Sequence, residues 1–260
     1  MKTRILLIVT LTITALALLL GLKIGRKTHI EQVQIEQGSL DTLVAKRVYN
    51  LIILDESGSM EPIRRISVEG VNETLNTIRT AYEEFPQQEQ IVTFATFSDD
   101  PRRELQVCRV KRELLSISDV TNLRLSEYNP GGMTPLWDTM GELLVDLEKK
   151  VADDDLVLVT IITDGLENKS VKYDAQMIRN LVGRLDEKGW IFTYIGANQD
   201  AALAASQMGI RNSYEYASDK EGTRKMFEKE RSSRARFYRN SRVGTKYERL
   251  QQDYFVDEDN

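Results

Sequence analysis

The sequence predicts an α/β fold: a doubly wound, mostly parallel central sheet with one antiparallel edge strand and helices on both faces, preceded by one transmembrane helix. Three observations carry this expectation. The runs Val48–Leu54 and Leu156–Ile162 are too continuously apolar for half-exposed strands and suit strands buried on both faces. Helical periodicity alternates with further strand-like runs along the chain, the pattern of βαβ units. Ile5–Leu22 carries no charge and would rise ~27 Å as a helix, close to the thickness of a bilayer's hydrocarbon core.

Each element has its own reason. Lys2 and Arg4 precede the first apolar stretch, and Lys23, Arg26 and Lys27 follow it. A cleaved signal peptide ends a shorter apolar region at an A-x-A-like site, whereas Ala15 and Ala17 sit in mid-run, so residues 1–22 read as an uncleaved anchor. The short basic tail is expected to stay in the cytoplasm, which puts the soluble part outside. Residues 23–47, polar and mixed in charge, read as a stalk. After the first strand, Ile63, Ile66, Val71, Leu75, Ile78 and Tyr82 mark an amphipathic helix, with Pro62 near its first turn.

Ile91–Phe97 reads as a second strand and Glu104–Val110 as a third, joined through Asp99, Asp100 and Pro101 as a hairpin turn. Pro135 opens a helix carrying Leu136, Met140, Leu143, Leu144 and Leu147. Beyond Leu156–Ile162 come a helix over Met177–Leu185, a strand at Trp190–Ile195, a helix over Ala201–Met208 and a short strand at Tyr214–Tyr216. The expected divisions are therefore anchor 1–22, stalk 23–47, domain 48–217, and a basic helix with an acidic tail over 218–260.

Composition excludes several function classes. With 260 residues the chain has a single cysteine and a single histidine. Cys108 alone permits no internal disulfide and no cysteine-rich zinc site, and reads as a small buried hydrophobe. His29 lies in the stalk, so no imidazole is available to a Ser-His-Asp or Cys-His hydrolase or to a multi-histidine zinc centre. A net charge of -5 argues against nucleic acid as the main partner. No enzyme is expected.

What remains is a set of oxygen donors. Asp55 and Asp164 each end an apolar strand, where an open α/β sheet binds its ligands. Ser57 and Ser59 alternate along the loop after Asp55, and Thr134 follows Gly131-Gly132 in N-P-G-G-M-T-P. Two carboxylates and three hydroxyls suit Mg2+ or Mn2+ better than zinc or copper. A cation would also relieve the repulsion between the two acids.

D-E-S-G-S at Asp55–Ser59, the threonine of G-G-M-T-P-L-W-D-T at Thr134 and I-T-D-G around Asp164 resemble the von Willebrand factor A-type (VWA) domain with its metal-ion-dependent adhesion site. Order and spacing match across roughly Val48–Ala217. Y-I-G-A-N-Q-D at Tyr194–Asp200 and the basic C-terminal segment look like a bacterial and phage branch of that family. The resemblance implies a Rossmann-like VWA fold. It also implies that Ser57, Ser59 and Thr134 bind the metal while Asp55 and Asp164 act directly or through water. An N-terminal membrane segment is not part of the family's domain pattern.

Other residues carry two readings each. Asp138, four residues after Thr134, either orients the threonine loop from behind or is a surface helix acid. Met133 and Trp137 either rim the site or, preferably, pack in the core. Asn72-Glu73-Thr74 and Asn168-Lys169-Ser170 match the glycosylation pattern without strong context. Arg224, Lys225, Lys229, Arg231, Arg234, Arg236, Arg239 and Arg242 form either a solvated helix face or a surface for nucleic acid or anionic lipid. The function expected is a membrane-anchored module that coordinates a partner's Asp or Glu carboxylate through the cation. The alternatives are binding through the basic helix, or a Mg-dependent phosphotransferase of the haloacid dehalogenase type. The latter wants a second aspartate where Ser57 stands.

Overall fold

In the computed structural model, residues 47–101, 107–197, 201–242 and 254–256 are described. The expected anchor and all of the stalk but Arg47 lie outside the described residues. No helix among the described residues is long and apolar enough to cross a membrane.

The first apolar run is strand β1 (Arg47–Asp55), buried from Val48 to its end. Both of its faces are used. Val48, Ile52 and Leu54 enter one core, and Tyr49, Leu51 and Ile53 the other, the period-two alternation of a strand. Strand β4 (Leu156–Thr163), buried throughout, pairs parallel with β1. Strands β2 (Glu89–Phe97), β5 (Trp190–Ala197) and β6 (Asn212–Tyr216) extend the sheet in parallel. Strand β3 (Cys108–Ser116) closes one edge antiparallel, in the order β3-β2-β1-β4-β5-β6. The expected mostly parallel sheet with one antiparallel edge strand is the observed one, while the expected transmembrane helix falls outside the described residues.

Helices α1 (Arg64–Glu84) and α5 (Lys220–Arg242) cover one face of the sheet. Helices α2 (Leu136–Glu148), α3 (Ala175–Glu187) and α4 (Ala201–Gln207) cover the other. Gly70 lets α1 and α5 approach closely, since a Cβ there would collide with the Phe227 ring. The chain leaves the β1–β4 pair in opposite directions, so the carboxyl ends of those two strands form the topological switch point.

Two expectations need correction. The third strand lies at Cys108–Ser116 rather than Glu104–Val110. An edge strand needs only partial burial, so its polar stretch R-V-K-R-E carries less strand signal than the shorter apolar pattern before it. Residues 102–106 lie outside the described residues, and Cys108 is partly rather than fully buried.

The second correction concerns Arg234: Arg224, Lys225, Arg231 and Arg239 do lie on an exposed face of α5, but Arg234 does not, and α5 packs on the sheet through its other face. Arg234 is fully buried under α5. Its Nε donates to Glu230 Oε1 (2.6 Å), one Nη to Asn50 Oδ1 (3.0 Å) and the other to Thr160 Oγ1 (2.7 Å). Tyr254, near the C-terminus, donates its hydroxyl to Glu230 at 3.2 Å. Among the exposed cations, Arg224 pairs with Glu221 and Glu228, Lys225 with Glu221, and Arg231 with Glu73. Arg242 pairs with Glu84.

Candidate cation site

Asp55 closes β1 and Thr163 closes β4, and their alignment at the switch point is the foundation of the site. Thr163 Oγ1 donates to Asp55 Oδ2 (2.6 Å), and the Ser57 amide donates to Asp55 Oδ1 (2.7 Å). Asp164 follows β4 directly and accepts from Ser59 Oγ at 2.6 Å through Oδ1. The Ser57 and Ser59 hydroxyls are 3.1 Å apart. Gly165 measures how the fifth group arrives. A Cβ built there would lie 3.3 Å from Thr134 Oγ1, 3.9 Å from Ser59 Oγ and 4.0 Å from Asp55 Oδ2. Asp55, Ser57, Ser59, Thr134 and Asp164, from three distant segments, therefore gather around one small space that glycine leaves open.

The framework behind these groups explains why the loops turn as they do. Glu56 is buried rather than solvent-facing, and its carboxylate accepts from Thr96 Oγ1 (2.5 Å), Arg109 Nη2 (2.7 Å) and the Asn129 amide (2.6 Å). Its own carbonyl accepts from the Gly131 amide (2.9 Å), while the Gly58 amide donates to the Gly132 carbonyl (3.0 Å). The serine loop is thus laced to the glycine pair. Gly132 is required there, because its φ is +79° and a Cβ would collide with the Asp99 carbonyl. Tyr128 completes the base by donating its hydroxyl to the Asp55 carbonyl (2.6 Å).

Thr134 is held by Asn168. The Thr134 amide donates to Asn168 Oδ1 (2.9 Å) and the Asn168 amide returns a bond to the Thr134 carbonyl (3.1 Å). Of the two readings of Asp138, the surface helix acid fails. It is buried, and its carboxylate accepts from the amides of Val171, Lys172 and Tyr173 at 2.8–2.9 Å, bracing the loop after Asp164. Ser218, in the loop after β6, donates to Asp164 Oδ2 at 3.3 Å. Sequence reasoning passed over Glu56, Tyr128, Asn168 and Ser218. Only Asn168 carried a signal, and it pointed to glycosylation.

The electrostatics are unbalanced. Burial pushes the Asp55 carboxyl up to about 7 against the hydrogen bonds from Thr163 and Ser57, and burial raises Asp164 as well. Among the described residues, no cationic side chain is a leading influence on either acid. Glu56 has what they lack: despite burial, the bonds from Thr96, the Asn129 amide and the Arg109 guanidinium hold its carboxyl below the usual range. A hard divalent cation fits the oxygens present, because a buried and a half-buried carboxylate with three hydroxyls supply donors but no counter-charge. Among the described residues no group of three or more His, Cys, Asp or Glu side chains could hold a metal. A cation in this cradle would therefore meet only two protein charges.

Next to Thr134 and Gly165 in the chain, Met133 is 45% exposed and Leu166 61%. The expectation of core packing fails for Met133, while Trp137 is partly buried against the core beneath α2.

No family model matches the chain, and no curated protein does. Solved structures match in fold. The pilus adhesin SpaC from Lactobacillus rhamnosus GG aligns with a TM-score of 0.56 at 14% identity, covering 74% of this chain and 31% of that one. The von Willebrand factor type A protein from Catenulispora acidiphila aligns with a TM-score of 0.50 at 14% identity, covering 73% and 42%. The PilB minor pilin from Streptococcus sanguinis gives 0.48 at 14% identity, covering 74% and 62%. The chain thus spans less than two thirds of each of these proteins. With the six-stranded sheet order and the paired helical layers, the likeness to the first two makes this a chain with the von Willebrand factor A-type fold.

Proposed function

We propose that this chain is a non-enzymatic binding module that grips an Asp or Glu carboxylate of a partner protein through Mg2+ or Mn2+. The ion would be held by Asp55, Ser57, Ser59, Thr134 and Asp164. The observation that carries this reading is the space beside Gly165, ringed by oxygens of all three loops and flanked by two carboxylates with no cationic partner among the described residues. When bound, the ion supplies an electrophilic position facing solvent for an incoming carboxylate. The chain's own residues do the rest. Thr163 and the Ser57 amide fix Asp55, Ser59 and Ser218 fix Asp164, and Asn168 sets the height of Thr134.

The rim specifies the partner further. Met133 and Leu166, adjoining Thr134 and Gly165, offer apolar contact beside the site, which suits an acidic residue flanked by apolar neighbours. Residues 5–22 would tether the module to a membrane with the domain on the extracytoplasmic side, a placement compatible with the adhesin likeness. Binding through the basic helix is disfavoured, because much of its charge is spent on internal partners.

The test uses the full-length chain in detergent. Wild type should bind Mn2+ by electron paramagnetic resonance and gain thermal stability, about 2.7 kcal/mol at a hundredfold excess over the dissociation constant. Asp55→Ala should keep its far-ultraviolet circular dichroism and lose both effects. A partner captured by wild type should be released by EDTA; retention in excess EDTA would falsify the proposal.

A further inference from the structure

Tyr216 ends β6 and is 6% exposed, yet its hydroxyl is among the buried side-chain atoms without a hydrogen-bond partner in the described residues. Buried tyrosine hydroxyls ordinarily find partners, and leaving one unmade costs on the order of 1–3 kcal/mol. Neighbouring Tyr128 obeys that rule by donating to the Asp55 carbonyl.

The position of the orphan is informative. Strand β6 runs parallel to β5 and β4, with Tyr216 opposite Ala197, so Tyr216 ends at the same edge of the sheet as Asp55 and Asp164. Two residues further on, Ser218 already touches Asp164. The ring shares its core with Tyr128 and Met60 on the α1–α5 side, beneath the serine loop. After burial itself, the charges that raise this phenol are those of Asp164 and then Asp55. Tyr128 in turn feels Asp55, Glu56, Tyr216 and Asp164. Strand register and core packing therefore put Tyr216 at the sheet edge that carries the candidate site, with no hydrogen-bond partner for its hydroxyl among the described residues.

We propose that the Tyr216 hydroxyl is a further polar group of the cation site, donating through a bridging water to the Asp164 carboxylate and so positioning that acid for the ion. A buried water typically makes two to four hydrogen bonds, and the Asp164 carboxylate at the same sheet edge, touched by Ser218 two residues beyond Tyr216, is an acceptor for it. Tyr216 is a positioning residue in this account. Ser59 and Ser218 hold Asp164 directly, and the phenol steadies it from within the core. The inference rests on the cation reading above.

The experiment compares full-length wild type with Tyr216→Phe, which keeps the ring and removes only the hydroxyl. Mn2+ affinity is read by electron paramagnetic resonance, and the thermal midpoint in EDTA by circular dichroism. The expected result is Mn2+ binding weakened about 3–10-fold, the worth of one hydrogen bond, with the EDTA midpoint unchanged or raised. A Mg2+-induced tyrosine difference spectrum should appear in wild type and shrink in the variant. If Mn2+ affinity stays within about twofold and the difference spectrum is unaltered, the hydroxyl is only a tolerated orphan and the inference falls. If wild type itself binds no Mn2+, the cation reading fails, an outcome distinct from a binding-competent wild type with an indifferent variant.

Discussion

Replacing Arg234 by methionine tests whether α5 is fastened to the sheet by charge or by shape. The guanidinium is fully buried and ties Glu230 on its own helix to Asn50 of β1 and Thr160 of β4, the two strands whose ends carry the site acids. Methionine fills similar space, but among the described residues it strands the Glu230 carboxylate with only the hydroxyls of Thr74 (3.1 Å) and Tyr254 (3.2 Å) as donors. Removing one member of a buried ion pair costs about 3–5 kcal/mol, because the remaining charge is uncompensated. At about 2–4 °C per kcal/mol for a domain of this size, the midpoint should fall by roughly 6–20 °C. Adding Glu230→Gln removes the orphaned charge while keeping an acceptor, so the double variant should recover at least half of the loss. Urea titrations at fixed divalent concentration, extrapolated linearly, read both values. The reasoning is refuted if Arg234→Met lies within about 1 kcal/mol of wild type, or if the double variant is no more stable than the single one.

Two further predictions address the site's frame and a surface cluster. Asn168→Ala removes the acceptor of the Thr134 amide, and should weaken Mn2+ binding about 3–10-fold with little change in the EDTA midpoint; an unchanged dissociation constant would show that the threonine loop is fixed otherwise. At Glu127, burial opposes ionisation, but hydrogen bonds from Arg112, the Arg124 amide and the Arg124 side chain hold the carboxyl down at about 2. A carboxyl depressed on folding lends stability that is complete above its unfolded value and is lost as pH falls through the folded one. Wild type should therefore lose midpoint faster than Glu127→Gln between roughly pH 4.3 and 2, by no more than about 1 kcal/mol because the cluster is partly exposed. Parallel midpoint-against-pH curves would contradict this.

The centre of the fold was legible because β1 and β4 must be apolar on both faces, a demand that leaves continuous runs in the sequence. Asp55 and Asp164 stood out for the same reason, as charges ending such runs. Strand β3 was misplaced because an edge strand escapes that demand. Arg234 was misread because counting cations along a helix does not distinguish a solvated arginine from a buried one. A subtler signal existed. Asn50, Thr160 and Thr193 interrupt three central strands, and the α1–α5 core takes their neighbours two positions away in every case. Polar groups aligned on one buried face require a polar partner above them, and Arg234 meets two of the three.

The site divides along the same line. Its five oxygen-bearing residues sit in short segments with local character: a strand end, an alternating serine pair, a glycine-rich turn. What orients them does not. Glu56 reaches Arg109 of β3, Tyr128 reaches back to Asp55, and Ser218 crosses from the loop after β6 to Asp164. Local pattern is blind to such pairs because each partner alone is an ordinary polar residue. Yet a small ion of strict geometry needs ligands held within a few tenths of an ångström. Affinity at this cradle should therefore be set as much by those long-range braces as by the donors themselves. Trimming a brace should lower cation affinity by degrees, whereas removing Asp55 should abolish it.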